Sequence, residues 1–231
     1  SKKDSAAIRE KLIKLDEDIA AFRNDIIKNY PGNILTALLM TMKEPALTGR
    51  LKNPKTKEDS LASWQYYKDH FWDDVSFYDG RMAYTTFFEE KLDKYYNQIV
   101  VPHPDSVIKE LDWMLGTASI NSEMTRFLLI KFVNRYLNQK YMWEDAVFLY
   151  LFEKYFAQKE HPWLTAAGKK VITDRAYSLM ANIMGTPASD IELPDSTGAM
   201  KSMFAEKGNF TMVIFWDPTC GHCKEVLPQI D

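Results

Sequence analysis

The stretch NSEMTRFLLIKFVNRYLN, residues Asn121 to Asn138, decides the fold class. Met124, Phe127, Leu128, Phe132, Tyr136 and Leu137 recur at helical spacing, and Ile130 and Val133 widen the apolar face. A stripe that broad belongs to a centrally buried helix. The same period recurs on both sides. Tyr84, Phe87, Phe88, Leu92, Tyr95, Tyr96 and Ile99 mark one helix. Val147, Phe148, Leu151, Phe152, Tyr155 and Phe156 mark another, and Ile172, Ala176, Leu179 and Ile183 a third. Shorter helices are expected at 34–43, 61–70 and 107–115, and a polar loop at 47–59. Turn chemistry at Asp79-Gly80, Pro102 to Pro104 and His161-Pro162 separates them. Short connections imply antiparallel αα-hairpins, so residues 1–184 read as a mainly α, multi-helix domain.

Near the start, Ile8, Leu12, Leu15, Ile19, Phe22 and Ile26 follow steps of 4, 3, 4, 3 and 4. That is a short heptad seam on one long helix. The expectation is that it packs on its own domain, with an intermolecular coiled coil as the alternative. A run of aromatics (Trp64, Tyr66, Tyr67, Phe71, Trp72, Phe77 and Tyr78) reads as inter-helix filler rather than a peptide groove.

Composition bounds the function. The chain has 231 residues, 46% of them hydrophobic, which is ample for a core and excludes a disordered protein. Its 29 basic and 32 acidic residues leave a net charge of −3 and no electrostatic footprint for nucleic acid. No apolar run is long enough to span a membrane.

From Gly185 onward the texture changes. Pro, Gly, Ser and Asp fall at turn spacings through Gly198, suggesting a short strand at 190–193, a turn at 194–198 and a helical turn at 200–206. Thr211 to Trp216 is a continuous apolar run and reads as a strand buried on both faces. Asp217-Pro218-Thr219 would turn the chain, and Cys220 would open a helix.

Cys220 and Cys223 are the chain's two cysteines. Two intervening residues cannot staple a domain, so their chemistry is local. A thiolate at a helix start is stabilised by unpaired N–H groups and by the helix dipole. Cys220 is therefore the candidate nucleophile, and Cys223, nearly a turn later, the resolving thiol. His222 can tune the pair, Gly221 lies between them, and Lys224 adds a nearby charge. A zinc site needs more ligands than the remaining histidines supply at suitable spacing, so no metal and no organic cofactor is expected.

The stretch FWDPTCGHCKEVLP, residues 215–228, resembles the active-site segment of the thioredoxin superfamily, with the TlpA/ResA-type thiol–disulfide oxidoreductases nearest in pattern. Phe215 and Trp216 fall on that group's Phe-Trp, Pro218 lies in the turn, and Pro228 falls on its helix-kinking proline. Thr219 departs from the usual Trp, and Ile214 stands where cytosolic thioredoxins carry a buried acid. Residues 185–231 would then be the opening of a thioredoxin-like α/β domain. Residues 1–184 are similar to helical domains that precede such modules in exported oxidoreductases. The resemblance implies a mainly α chain ending in a truncated thioredoxin-like segment. It would be a piece of a longer envelope or periplasmic protein, a lipoprotein being one form of it. Its partners would be protein thiols or disulfides and a dithiol donor or acceptor, and the piece alone would be inactive or nearly so. The alternative is a helical scaffold or peptide-binding module without catalysis of its own.

Overall fold

The computed structural model of the chain describes residues 2–180, 183, 185 and 187–230, with side chains from residue 8 onward. It divides into two units, Ser1–Met184 and Gly185–Asp231.

Ten α-helices are described, nine of them in the first unit. These are α1 (Lys2–Asn29), α2 (Ile34–Thr41), α3 (Gly49–Lys52), α4 (Lys57–Asp69), α5 (Thr86–Lys94), α6 (Pro104–Ala118), α7 (Ser122–Leu137), α8 (Glu144–Leu151) and α9 (Ala166–Met180). Capping sets their starts. The Asn121 side chain accepts from the Met124 N–H at 3.0 Å, and the Thr56 hydroxyl from the Asp59 N–H at 3.1 Å. Thr85 does the same for α5, and Pro104 opens α6, where a missing N–H costs nothing.

The polar loop expected at 47–59 is instead partly helical. Arg50 donates to Asp59, and the Ser63 hydroxyl donates to the Leu51 carbonyl at 2.6 Å, so α3 is tied onto α4. Side-chain partners distant in sequence outweigh local composition there. Ile183 lies beyond the end of α9 rather than on it.

Two helices end in a π turn. After α5, residues Tyr95–Ile99 widen, and the Val100 N–H reaches the Tyr95 carbonyl at 2.9 Å. After α8, residues Phe152–Phe156 do likewise, with the Ala157 N–H on the Phe152 carbonyl at 2.8 Å. The wider turn brings the neighbours Tyr95 and Tyr96 into the core together.

The core lies among α5 to α9. Helix α6 packs on α7 and α8, and α9 packs on α7 and α8. Phe88, Leu111, Met114, Leu128, Phe132, Tyr136 and Phe148 are buried at its centre. The aromatic run at 64–78 is largely filler. Phe71 stacks on Tyr95 at 5.3 Å, and Trp72 and Phe77 meet at 5.4 Å.

Helix α1 departs from expectation. Its apolar seam is not packed on the domain: Ile8, Leu12, Leu15, Ile19 and Phe22 are 38–67% exposed. It packs against α2, and among its described side chains only Ile26 and Ile27, near its end, are half-buried.

The second unit holds a two-stranded antiparallel hairpin, β1 (Glu192–Pro194) and β2 (Met200–Ser202), with Leu193 opposite Lys201. Residues 200–202 thus form a strand, and only Met203–Ala205 make a helical (3-10) turn. Gly198 adopts φ +86 in the connecting loop, a conformation that favours glycine. The run Thr211–Trp216 is not a buried strand. It is unpaired, and Phe215 is 84% exposed. A strand buried on both faces needs neighbours on both edges, and the described residues supply none. The unit closes with α10 (Gly221–Val226) and a 3-10 turn at Leu227–Gln229.

Candidate functional site

The cysteine pair is built by one turn and one short helix. Asp217 accepts from both the backbone N–H and the hydroxyl of Thr219, each at 2.7 Å. Its carbonyl then accepts from the Cys220 N–H at 3.0 Å. The first loop of the unit uses the same lock: Asp195 accepts from the Thr197 N–H at 2.8 Å and its hydroxyl at 2.6 Å. Such Asp-to-i+2 bonds fix a turn without secondary structure around it. These donors hold the Asp217 carboxyl below its ordinary range, the Thr219 hydroxyl foremost.

Cys220 sits at the N-cap of α10, with φ −74 and ψ 114. Its Sγ accepts from the Cys223 N–H at 3.4 Å. Both thiols are free and half-buried. The Cys220 thiol is lowered from its ordinary value, first by a hydrogen bond from the Cys223 thiol, then by the Cys223 N–H, with a lesser contribution from the His222 N–H. A sulfur with such donors is a better nucleophile near neutral pH than a free cysteine.

The other sequence candidates fall around this pair. Gly221 and His222 occupy the first turn of α10, both exposed. The backbone N–H of Lys224 donates to the Cys220 carbonyl at 3.3 Å, while its side chain is exposed. Pro218 is inside the Asp217–Thr219 turn, and Trp216 is on the exposed run before it. Helix α10 gives way to the 3-10 turn at Pro228, as expected where an N–H is lost. Asp217 and Thr219 were missed as site residues, although Asp-Pro-Thr is a readable turn signal.

A second feature had no sequence signal. In the helical unit a cleft of about 830 Å³ is bordered by Tyr96, Asn97, Arg135, Asn138, Tyr141 and Trp143. Arg135 donates to Asn97 at 2.6 Å and lies 5.7 Å from the Tyr96 ring centre. Tyr141 and Trp143 stack within 7° of parallel. The Tyr96 hydroxyl is buried with no hydrogen-bond partner among the described residues. The π turn that aims Tyr96 here is invisible to a 3.6-residue period.

Among the described residues, no three of the His, Cys, Asp and Glu side chains converge to hold a metal ion. No described helix is long and apolar enough to cross a membrane.

Comparison with known proteins gives one finding. No curated protein matches the chain, and no solved structure does. The family model described as a domain of unknown function (DUF5106) matches residues 46–182, which is more than half of the chain and covers α3 to α9. The protein therefore belongs to the DUF5106 family.

Proposed function

We propose that the protein takes part in thiol–disulfide exchange, with Cys220 as nucleophile and Cys223 as resolving thiol. The observation that carries this reading is the Cys220 sulfur at a helix N-cap, receiving the Cys223 N–H and held by the Asp217–Thr219 turn. The Cys220 thiolate attacks one sulfur of a substrate disulfide and releases the other as a thiolate. Cys223 then attacks the mixed disulfide, releasing the reduced substrate and leaving a Cys220–Cys223 disulfide. A partner dithiol restores the pair. His222, beside the cysteines, would favour the thiolate when protonated. The resemblance of residues 215–228 to TlpA/ResA-type oxidoreductases supports the reading and points to an oxidising setting such as the cell envelope, where disulfide substrates persist.

The test is the alkylation rate of Cys220 against pH in Cys223→Ser, whose hydroxyl can replace the thiol donor. It is paired with a glutathione titration of the unaltered pair. A midpoint well below about 8.5 and a potential within roughly −270 to −120 mV support the proposal. A midpoint at or above the free-thiol value removes it.

The cleft beside Arg135 favours a second reading, a peptide-binding module in the helical unit. Binding of an unstructured peptide library that is lost in both Tyr96→Phe and Arg135→Ala, with the cysteines replaced by serine, would place the function there instead.

A further inference from the structure

The exposed seam of α1 has a charge pattern that specifies its occupant. With Leu12, Ile19 and Ile26 at heptad position a and Ile8, Leu15 and Phe22 at d, positions e are Arg9, Asp16 and Arg23. Positions g are Lys11, Asp18 and Asp25. The outermost positions f are Glu10, Glu17 and Asn24. Polar residues therefore lie opposite the seam.

We propose that α1 pairs with α1 of a second copy of this chain as a parallel, in-register, two-stranded coiled coil. In that arrangement each g residue faces the e residue five positions further on in the partner. Lys11 then meets the partner's Asp16, and Asp18 meets the partner's Arg23. Both pairs are attractive, and each occurs twice across the two-fold axis. The antiparallel alternative that keeps the same apolar layers sets Arg9 against the partner's Arg23, Asp16 against the partner's Asp16 and Asp18 against the partner's Asp18. It gains only Lys11 against Asp25. Charge therefore selects the parallel form. At the centre of the seam, Ile19 at a above Leu15 at d favours two strands; Leu12 at a above Ile8 at d favours more than two, so the strand number is part of the test.

Helix α1 has 28 residues, about 42 Å at 1.5 Å per residue. Helices in proteins draw most of their stability from packing of an apolar face. Among its described side chains only Ile26 and Ile27 are half-buried, and the seam from Ile8 to Phe22 is exposed. A second copy is the partner whose charges are known to complement it, because they are its own.

Sedimentation equilibrium on the full chain tests this. The expected result is a reversible dimer at micromolar concentration that becomes monomeric in Ile19→Asp, with thermal midpoint and core fluorescence unchanged. Lys11→Glu and Asp16→Lys should each weaken the dimer about tenfold, and the double exchange should restore it to within about threefold. On a Cys220→Ser/Cys223→Ser background, Leu12→Cys should cross-link to itself, since only the parallel form brings the two copies of residue 12 together. A chain monomeric at several hundred micromolar overturns the proposal. So does a dimer indifferent to the charge exchange, a trimer, or a dimer in which Leu12→Cys does not self-link.

Discussion

The ammonium of Lys91 donates to the backbone carbonyl of Lys43 at 2.6 Å, joining α5 to the segment that follows α2. The lysine is 7% exposed and lies 4.6 Å from the Phe71 ring centre. Burial lowers its proton affinity, and the nearby Glu44 and Asp74 carboxylates only partly compensate. Its value to the fold therefore lies as much in the aliphatic stem as in the charge. Lys91→Met should change unfolding free energy by less than about 1 kcal/mol, whereas Lys91→Ala should cost about 2–3 kcal/mol. Urea unfolding of the two variants separates the contributions.

The buried tyrosines make the helical unit sensitive to alkali. Burial raises Tyr95 and Tyr96 well above the ordinary phenol range, and pushes Tyr136 up to about 12. In the unfolded chain these groups ionise near 10. The folded state then holds more protons than the unfolded state, so stability is intact below about pH 10 and falls as pH rises beyond it. Ultraviolet titration should show the three hydroxyls ionising only as helical circular dichroism is lost. Smooth ionisation with the helix intact would contradict their placement.

Asn121 has two jobs. It caps α7 through the Met124 N–H and donates to the Tyr78 carbonyl at 3.0 Å. A Cβ on Gly80 would come within 2.7 Å of its Oδ1. Asn121→Ala should cost about 1–3 kcal/mol and Gly80→Ala a comparable amount, while Asn121→Asp, which keeps the cap acceptor, should cost less. Thermal melts of the three variants check the order.

The turn before the cysteines is predicted to control their reactivity. Asp217→Ala removes the acceptor for both Thr219 donors. The alkylation midpoint of Cys220 should move up toward the free-thiol value near 8.5, and the rate at pH 7 should fall about threefold. An unchanged midpoint would mean that α10 positions Cys220 without the turn.

Contrasting core and surface aromatics tests the architecture itself. Phe88→Ala, at a fully buried site, should cost about 3–5 kcal/mol, whereas Phe215→Ala should stay within about 0.5 kcal/mol. Equal losses in chemical denaturation would restore the buried-strand reading of residues 211–216.

Most helices of the first unit were legible because their information is local. The stripe from Met124 to Tyr136 turns at 3.6 residues, and Asn121, Thr85 and Pro104 carry standard start signals. What was not legible depends on partners. An apolar seam at Ile8 to Phe22 looks the same whether it packs on its own domain or awaits another helix. The run from Thr211 to Trp216 has strand composition, but pairing needs neighbours that composition does not reveal. Arg50 and Asp59 made a helix of a stretch whose residues favour a loop. At the candidate site, the spacing of Cys220 and Cys223 was plain in the sequence. The clamp by Asp217 was less visible, because a turn residue signals geometry rather than chemistry.

The two π turns bear on how the chain tolerates changes in length. A π turn spreads five residues over nearly the arc that four occupy in an α-helix. Loss of one exposed residue from such a turn, Gln98 after α5 or Glu153 after α8, would let it close as ordinary helix. Ile99 and Phe156 would still fall on nearly the same face. Loss of a residue at the middle of α7 would instead rotate everything after it by about 100° and turn Phe132 and Tyr136 out of the core. Single-residue deletions should therefore be survivable at these two helix ends and damaging between them, a length allowance built into the backbone.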